Sequence, residues 1–196
     1  VAGLVRYLKA EAITHLVDAT HPFAAGMSRN AIAACTQTDV PLLAYQRAPW
    51  HAGPGDNWLP VADMDAAVAA LPDVPARVFL AIGKQNLTGF AAKPQHHYLL
   101  RLVDAPTGKI LSDCTVLVAR GPFTPEGDRA LLTGHRISRI VAKNSGGSGA
   151  EAKLLAARSL GLPVILINRP DLPPRKVVTD LADVMAWLSH PADLGV

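Results

Sequence analysis

Short apolar runs alternate with segments of helical period along this chain, the pattern expected of βα units around a mainly parallel sheet. The runs that read as strands are His15–Ala19, Leu42–Gln46, Val78–Ile82, His97–Leu102, Val116–Ala119, Ile137–Ala142 and Val164–Ile167. Between several of them the period turns helical. Val61, Met64, Val68 and Leu71 share one helical stripe, and Leu181, Val184 and Leu188 repeat the spacing near the end. Both stripes are read as buried helix faces. Pro72-Asp73-Val74-Pro75 is the clearest break, because two prolines so close stop a helix and stiffen a linker. The domain boundary is placed there, giving halves of residues 1–74 and 75–196. The first residues, Val1–Ala12, read as a helix already under way, without a capping residue or a preceding strand. The N-terminal half is therefore expected to lack its first strand.

Composition narrows the classes. With 49% apolar residues in 196, the chain can bury one substantial core or two smaller ones. No run approaches the roughly 18–20 apolar residues of a membrane-spanning helix. Arg6, Lys9 and Glu11 stand where a signal peptide would be apolar, so a cytoplasmic location is expected. The net charge of +3 is spread thinly, which does not prompt nucleic-acid binding but suits a small anionic ligand held by local Arg and Lys groups. Cys35 and Cys114 lie in unrelated patterns and read as reduced core thiols. His51, His96, His97 and His135 show no ligand spacing, so no metal site is expected.

In an open α/β sheet, ligands bind beyond the carboxyl ends of the strands, and four turns at such ends are unusually polar. In Asp18-Ala19-Thr20-His21-Pro22-Phe23, Pro22 suits a first helical turn; Thr20 and His21 either face the ligand or, for Thr20, cap the helix. Gly83-Lys84-Gln85-Asn86 and Arg120-Gly121-Pro122-Phe123 each join a flexible backbone to a cation, a combination that serves the turn as often as a ligand. The fourth, Lys143-Asn144-Ser145-Gly146-Gly147-Ser148-Gly149, is the sharpest. Its glycines can leave several backbone N–H groups pointing at an anion at the start of a helix around Ala150–Leu160. It matches neither a P-loop nor GxGxxG. Tyr45-Gln46-Arg47-Ala48-Pro49-Trp50, followed by Trp58, places a cation among aromatics. These either pack on a flat conjugated ligand or close one edge of the core.

With these turns in place, the chain resembles the precorrin-6A reductase family along nearly its whole length. The resemblance rests on Asp18-Ala19-Thr20-His21-Pro22-Phe23-Ala24 with Ser28, Asn30 and Ala31, then Arg47-Ala48-Pro49-Trp50, Arg120-Gly121-Pro122-Phe123, Lys143-Asn144-Ser145-Gly146-Gly147 and the closing Asn168-Arg169-Pro170. It implies an α/β fold of two Rossmann-like parallel-sheet halves with a cleft between them. It also implies NADPH as cofactor, reducing the precorrin-6A macrocycle to precorrin-6B during cobalamin synthesis. Carried over by residue, it puts Gly83, Lys84, Arg120, Gly121 and Lys143, Asn144, Ser145, Gly146, Gly147 around the dinucleotide. Thr20, Phe23, Ser28, Asn30, Arg47 and Trp50 then line the tetrapyrrole. A proton must also reach the reduced ring, and His21 is the best side-chain candidate because a histidine titrates near neutral pH, with water or the substrate's own carboxylic groups as the alternatives. Family members begin one strand and a Gly-rich turn earlier, so the chain reads as a fragment. The rival expectations are a different NAD(P)-linked reductase on the same scaffold and a non-catalytic nucleotide- or anion-binding remnant.

Overall fold

The computed structural model describes residues 1–108 and 110–189. They form two compact units. The smaller comprises Val1–Ala48 and the described residues from Pro170 onward; the larger is Pro49–Arg169.

In the smaller unit, helix α1 (Ala2–Ala10) and helix α2 (Ala25–Thr38) pack on strands β1 (Leu16–Asp18) and β2 (Leu42–Tyr45). Their apolar faces meet around Leu8, Ala34 and Cys35, flanked by Leu4, Val5, Ile13, Leu16, Val40 and Leu42. Asp39 ends α2 in the left-handed conformation, φ 54°, and turns the chain into β2. The ladder is wholly parallel in the order β1-β2-β9, where β9 is Lys176–Val178. A last helix follows β9 and covers Leu181–Ser189.

The larger unit holds a six-stranded parallel sheet. In chain order its strands are β3 (Trp58–Val61), β4 (Arg77–Ala81), β5 (His97–Leu102), β6 (Cys114–Val118), β7 (Arg139–Lys143) and β8 (Val164–Ile167). In space the order is β3-β8-β7-β4-β5-β6. All four residues of β8 and the middle of β4 and β7 are buried, the continuous apolar run of strands covered on both faces. Helix α3 (Met64–Ala69) follows β3, α4 (Pro125–Gly134) follows β6, and α5 (Ala152–Leu160) follows β7 through a single 3₁₀ turn, Ser148–Ala150. Thr124 Oγ1 accepts from the Gly127 amide at 3.1 Å and Pro125 opens the first turn, so α4 starts with a side-chain cap and no wasted donor. From β4 the chain builds outward to β5 and β6 on one side, then crosses to β7 and β8 on the other. The β4/β7 junction is therefore a topological switch point, where the turns leaving two adjacent strands diverge and open a crevice at the carboxyl edge.

The seven expected strands are present, with ends shifted by a few residues. The boundary is not where the prolines suggested. Pro72–Pro75 end the α3 segment inside the larger unit, because residues upstream of that break are tied by the β3–β8 ladder. Conversely, the chain beyond Arg169 returns to the smaller unit, where β9 pairs with β2. Each unit thus takes a strand from the far side of its expected boundary. Val61 belongs to β3 and not to the helical stripe; Pro60 is tolerated there because β3 is an edge strand. Of the last stripe, only Val184 is buried, while Leu181 and Leu188 are exposed. Neither Pro22 nor Pro122 opens a helix, since α2 begins at Ala25 and α4 at Pro125. Cys35 is buried and Cys114 half-buried, and neither is in a disulfide.

Candidate functional site

At the carboxyl end of β7 the glycine-rich turn is a braced loop. The Asn144 side chain clamps the Trp50 backbone, accepting from its amide at 2.8 Å and donating to its carbonyl at 3.0 Å. The Trp50 indole N–H donates to the Gly147 carbonyl at 3.0 Å. From β8's end, Arg169 donates to the carbonyls of Asn144 at 3.0 Å and Ser145 at 3.2 Å. Between these braces Gly146 and Gly147 take φ of 69° and 75°, a conformation that L side chains rarely adopt. Neither of their amides donates to another group of the described residues. The carbonyls of Asn144, Ser145 and Gly147 are therefore occupied, while the amides of the buried Gly146 and the half-buried Gly147 are left unpaired, donors that suit an anion ahead of a helical segment. Lys143, half-buried at the strand end, has its pKa lowered by burial.

Beside this loop, a groove of about 600 Å³ runs along the ends of β4, β5 and β6. Gly83, Arg120 and Gly121 line it, so three of the expected cofactor residues share one surface. Gly83, at φ 80°, turns the chain out of β4 and puts the exposed Lys84 on a short 3₁₀ turn. Arg120 is exposed and pairs with Asp104 at 2.9 Å.

The groove also contains residues that were not singled out from sequence. Arg101, from β5, forms a two-pronged ion pair with the buried Asp128 of α4; its second contact is 3.3 Å. Its guanidinium lies 3.7 Å from the Phe123 ring centroid and 5.0 Å from that of Phe79. Lys153 of α5 is buried against the Trp50 ring, its Nζ 4.9 Å from the centroid, and donates to the Ala150 carbonyl. A sequence signal for Lys153 existed: it occupies the stripe of Ala156, Ala157 and Leu160, where an apolar residue is expected.

In the smaller unit, the turn after β1 is organised around Asp18. Its carboxylate, 5% exposed, accepts from the Thr20 hydroxyl at 2.6 Å and the Thr20 amide at 3.1 Å. Ser28, buried on α2, approaches the same carboxylate and lies 3.4 Å from the Thr20 hydroxyl. Burial pushes the Asp18 pKa up, but the Ser28 and Thr20 hydroxyls, the Thr20 amide and the charge of Arg175 outweigh it and hold the carboxyl below its ordinary value. Thr20 thus serves the turn and does not cap α2, whose N-cap is Ala24. His21 is exposed at the tip. Its Nδ1 accepts from the Phe23 amide at 3.2 Å, which places the proton of the neutral ring on Nε2. The Phe23 ring lies 6.0 Å from the imidazole. Arg47, also exposed, follows the parallel neighbour β2, so it leaves the sheet at the same edge as His21.

One expected ligand contact is corrected. Trp50 is 8% exposed, a member of the larger unit's core with Trp58 packed against it, so its ring is not available to stack on a flat ligand. Asn30 is exposed two residues beyond the inward-facing Ser28, on a different face of α2 from the Thr20–Ser28 cluster. Among the described residues, no helix is long and apolar enough to cross a membrane and no group of three His, Cys, Asp or Glu side chains could hold a metal.

Comparison with known proteins agrees with this architecture. The family model described as Precorrin-6x reductase CbiJ/CobK matches residues 1–189. A precorrin-6A reductase of Rhodobacter capsulatus is 63% identical over 190 residues, which are 96% of this chain and 76% of that protein. One from Rhodococcus erythropolis is 43% identical over 187 residues, covering 95% of this chain and 75% of the relative. A solved structure titled CobK precorrin-6A reductase superposes with a TM-score of 0.94 at 62% identity, over 96% of this chain and 78% of that one. A braced glycine turn at a switch point, a His-bearing turn over a buried aspartate and this level of identity along the chain agree: it belongs to the CbiJ/CobK precorrin-6x reductase family of oxidoreductases.

Proposed function

We propose that the chain catalyses the NADPH-dependent reduction of precorrin-6A to precorrin-6B, a step of cobalamin synthesis in the cytoplasm. The observation that carries the cofactor assignment is the glycine turn. A dinucleotide needs backbone donors for its pyrophosphate, and the amides of Gly146 and Gly147 are unpaired among the described residues, at the start of a helical segment beside the switch point. The groove lined by Gly83, Arg120 and Gly121, at about 600 Å³, is in the size range of cofactor sites. The residues present therefore fit the group. Lys143 to Gly147 would hold the pyrophosphate, with Gly83, Lys84, Arg120 and Gly121 along the rest of the dinucleotide. NADPH, when bound, supplies the hydride.

The chain's own contribution is binding, orientation and one proton. Arg47 offers a guanidinium to the peripheral carboxylates of the macrocycle, and Phe23 an apolar face beside it. His21, when protonated, can deliver a proton to the reduced ring system and return to the neutral imidazole. Asp18, Thr20 and Ser28 lie beneath it and hold the shape of the turn. The substrate assignment is taken from the relatives, both precorrin-6A reductases, and so is the cobalt-free macrocycle.

The test is titration of the chain with NADPH and NADH, followed by heat and nicotinamide fluorescence, then turnover with precorrin-6A. Saturable binding that favours NADPH, with loss of precorrin-6A absorbance, is the expected result. Equal, weak responses to both nucleotides would overturn the cofactor assignment. Tight NADPH binding without precorrin-6A turnover would favour another acceptor on the same scaffold.

A further inference from the structure

The larger unit buries two cations beside the same groove and treats them differently. Arg101 is compensated, held by both oxygens of the buried Asp128 and stacked between Phe79 and Phe123. Lys153 is not. It is 5% exposed, belongs to none of the ion pairs of the described residues, and its Nζ donates only to the neutral Ala150 carbonyl. An ammonium taken out of water without an anion is costly, and a methionine at this position would fill the apolar stripe without that cost. Lys153 nevertheless lines the wall of the groove together with Gly83, Arg120 and Gly121.

We propose that Lys153 is the groove's latent anion-binding cation: it is parked on the Ala150 carbonyl and engages a phosphate of the bound dinucleotide, taking up a proton from solvent as it does so. The inference rests on the dinucleotide reading of this groove. Three charged groups act on Lys153 from the elements around it, Arg101 on β5, Asp128 on α4 and Glu151 just before α5, and Arg120 on the turn after β6 lines the same groove. Burial first, then Arg101, brings its pKa down to about 8, while Asp128 and Glu151 act in the opposite direction. The sign of the linkage follows. An arriving phosphate favours the charged ammonium and raises this pKa. Binding from a partly neutral state therefore draws protons from the buffer, and affinity weakens as the pH rises above the unliganded value.

Calorimetric titration with NADPH at pH about 8, in buffers of low and high ionisation enthalpy, reads this proton directly. With the unliganded pKa at about 8, roughly half a proton per nucleotide is expected in the parent chain. Lys153→Arg, charged at every working pH, should bind NADPH with no such uptake. Lys153→Met should bind about tenfold more weakly, again without uptake. Uptake that persists undiminished in Lys153→Arg, or Lys153→Met binding as tightly as the parent, overturns the proposal while leaving the dinucleotide site intact. If the parent chain binds no NADPH at all, the underlying reading fails and this inference fails with it.

Discussion

Two turns, each leaving the carboxyl end of a parallel strand, reach opposite solutions to presenting polar groups at a sheet edge. After β7 the working groups are backbone amides. Large and polar side chains (Trp50, Asn144 and Arg169) occupy the loop's carbonyls and its flank, while the amides of Gly146 and Gly147 have no acceptor among the described residues. After β1 the working group is a side chain, the His21 imidazole, and the backbone beneath it is organised by a buried carboxylate that collects the Thr20 hydroxyl and amide. The difference follows the chemistry proposed for each. A pyrophosphate needs several donors fixed at close spacing, which a peptide backbone supplies without side-chain entropy. A proton needs one group that changes state near neutral pH, which only a side chain supplies.

Perturbing the braces and the working groups separately tests this contrast. The largest effect is expected from Trp50→Ala, which removes a core ring and the indole bond to Gly147 together. Melting or denaturant titration should show a loss of about 3–5 kcal/mol, and NADPH binding should vanish with it. His21→Asn should cost turnover about a hundredfold or more, because it removes the proposed general acid, while thermal stability hardly changes. Near-normal turnover with precorrin-6A across roughly pH 6–8 would remove His21 from the proton path.

Asp18→Asn is expected to cost about 1–2 kcal/mol, since the charge-assisted bonds from the Thr20 hydroxyl and amide become neutral ones. Its pH signature is specific. The folded pKa lies below the ordinary 3.8, so the carboxylate's stabilisation is present above that value and lost as the pH falls through the folded one. The stability gap between parent and variant should therefore narrow on acidification below about pH 4. A constant gap would mean that Asp18 acts by packing alone.

Gly147→Ala should cost about 1–2 kcal/mol through its left-handed φ and weaken NADPH binding without touching the His21 turn. The smallest structural effect is expected from charge reversal at the exposed Lys84 or Arg120, where melting should scarcely move. The readout there is the ratio of NADPH to NADH affinity, which should fall for whichever residue meets the 2′-phosphate. If neither these nor Lys143→Glu alters the ratio, the assignment of residues along the dinucleotide is wrong.

The sequence by itself determined the parallel α/β class, because short apolar runs such as Val78–Ile82 and helical stripes are local signals. It also marked the turns that carry chemistry, since glycines, hydroxyls and cations after a strand can be read from neighbours in the chain. Tertiary structure decided which ladder each segment joins. β3 contains a proline, β9 is three residues long with a lysine in it, and neither reads as a strand until its partner is known. The unit boundaries moved for the same reason. Burial was decided there too: Trp50 sits beside Pro49 and His51 as if in an exposed loop, yet Asn144 and Gly147, nearly a hundred residues on, draw it into the core. Lys153 and the Arg101–Asp128 pair have the same origin. The free energy of a buried charge depends on what lies within a few ångströms in space, and the order of residues along the chain does not specify those neighbours.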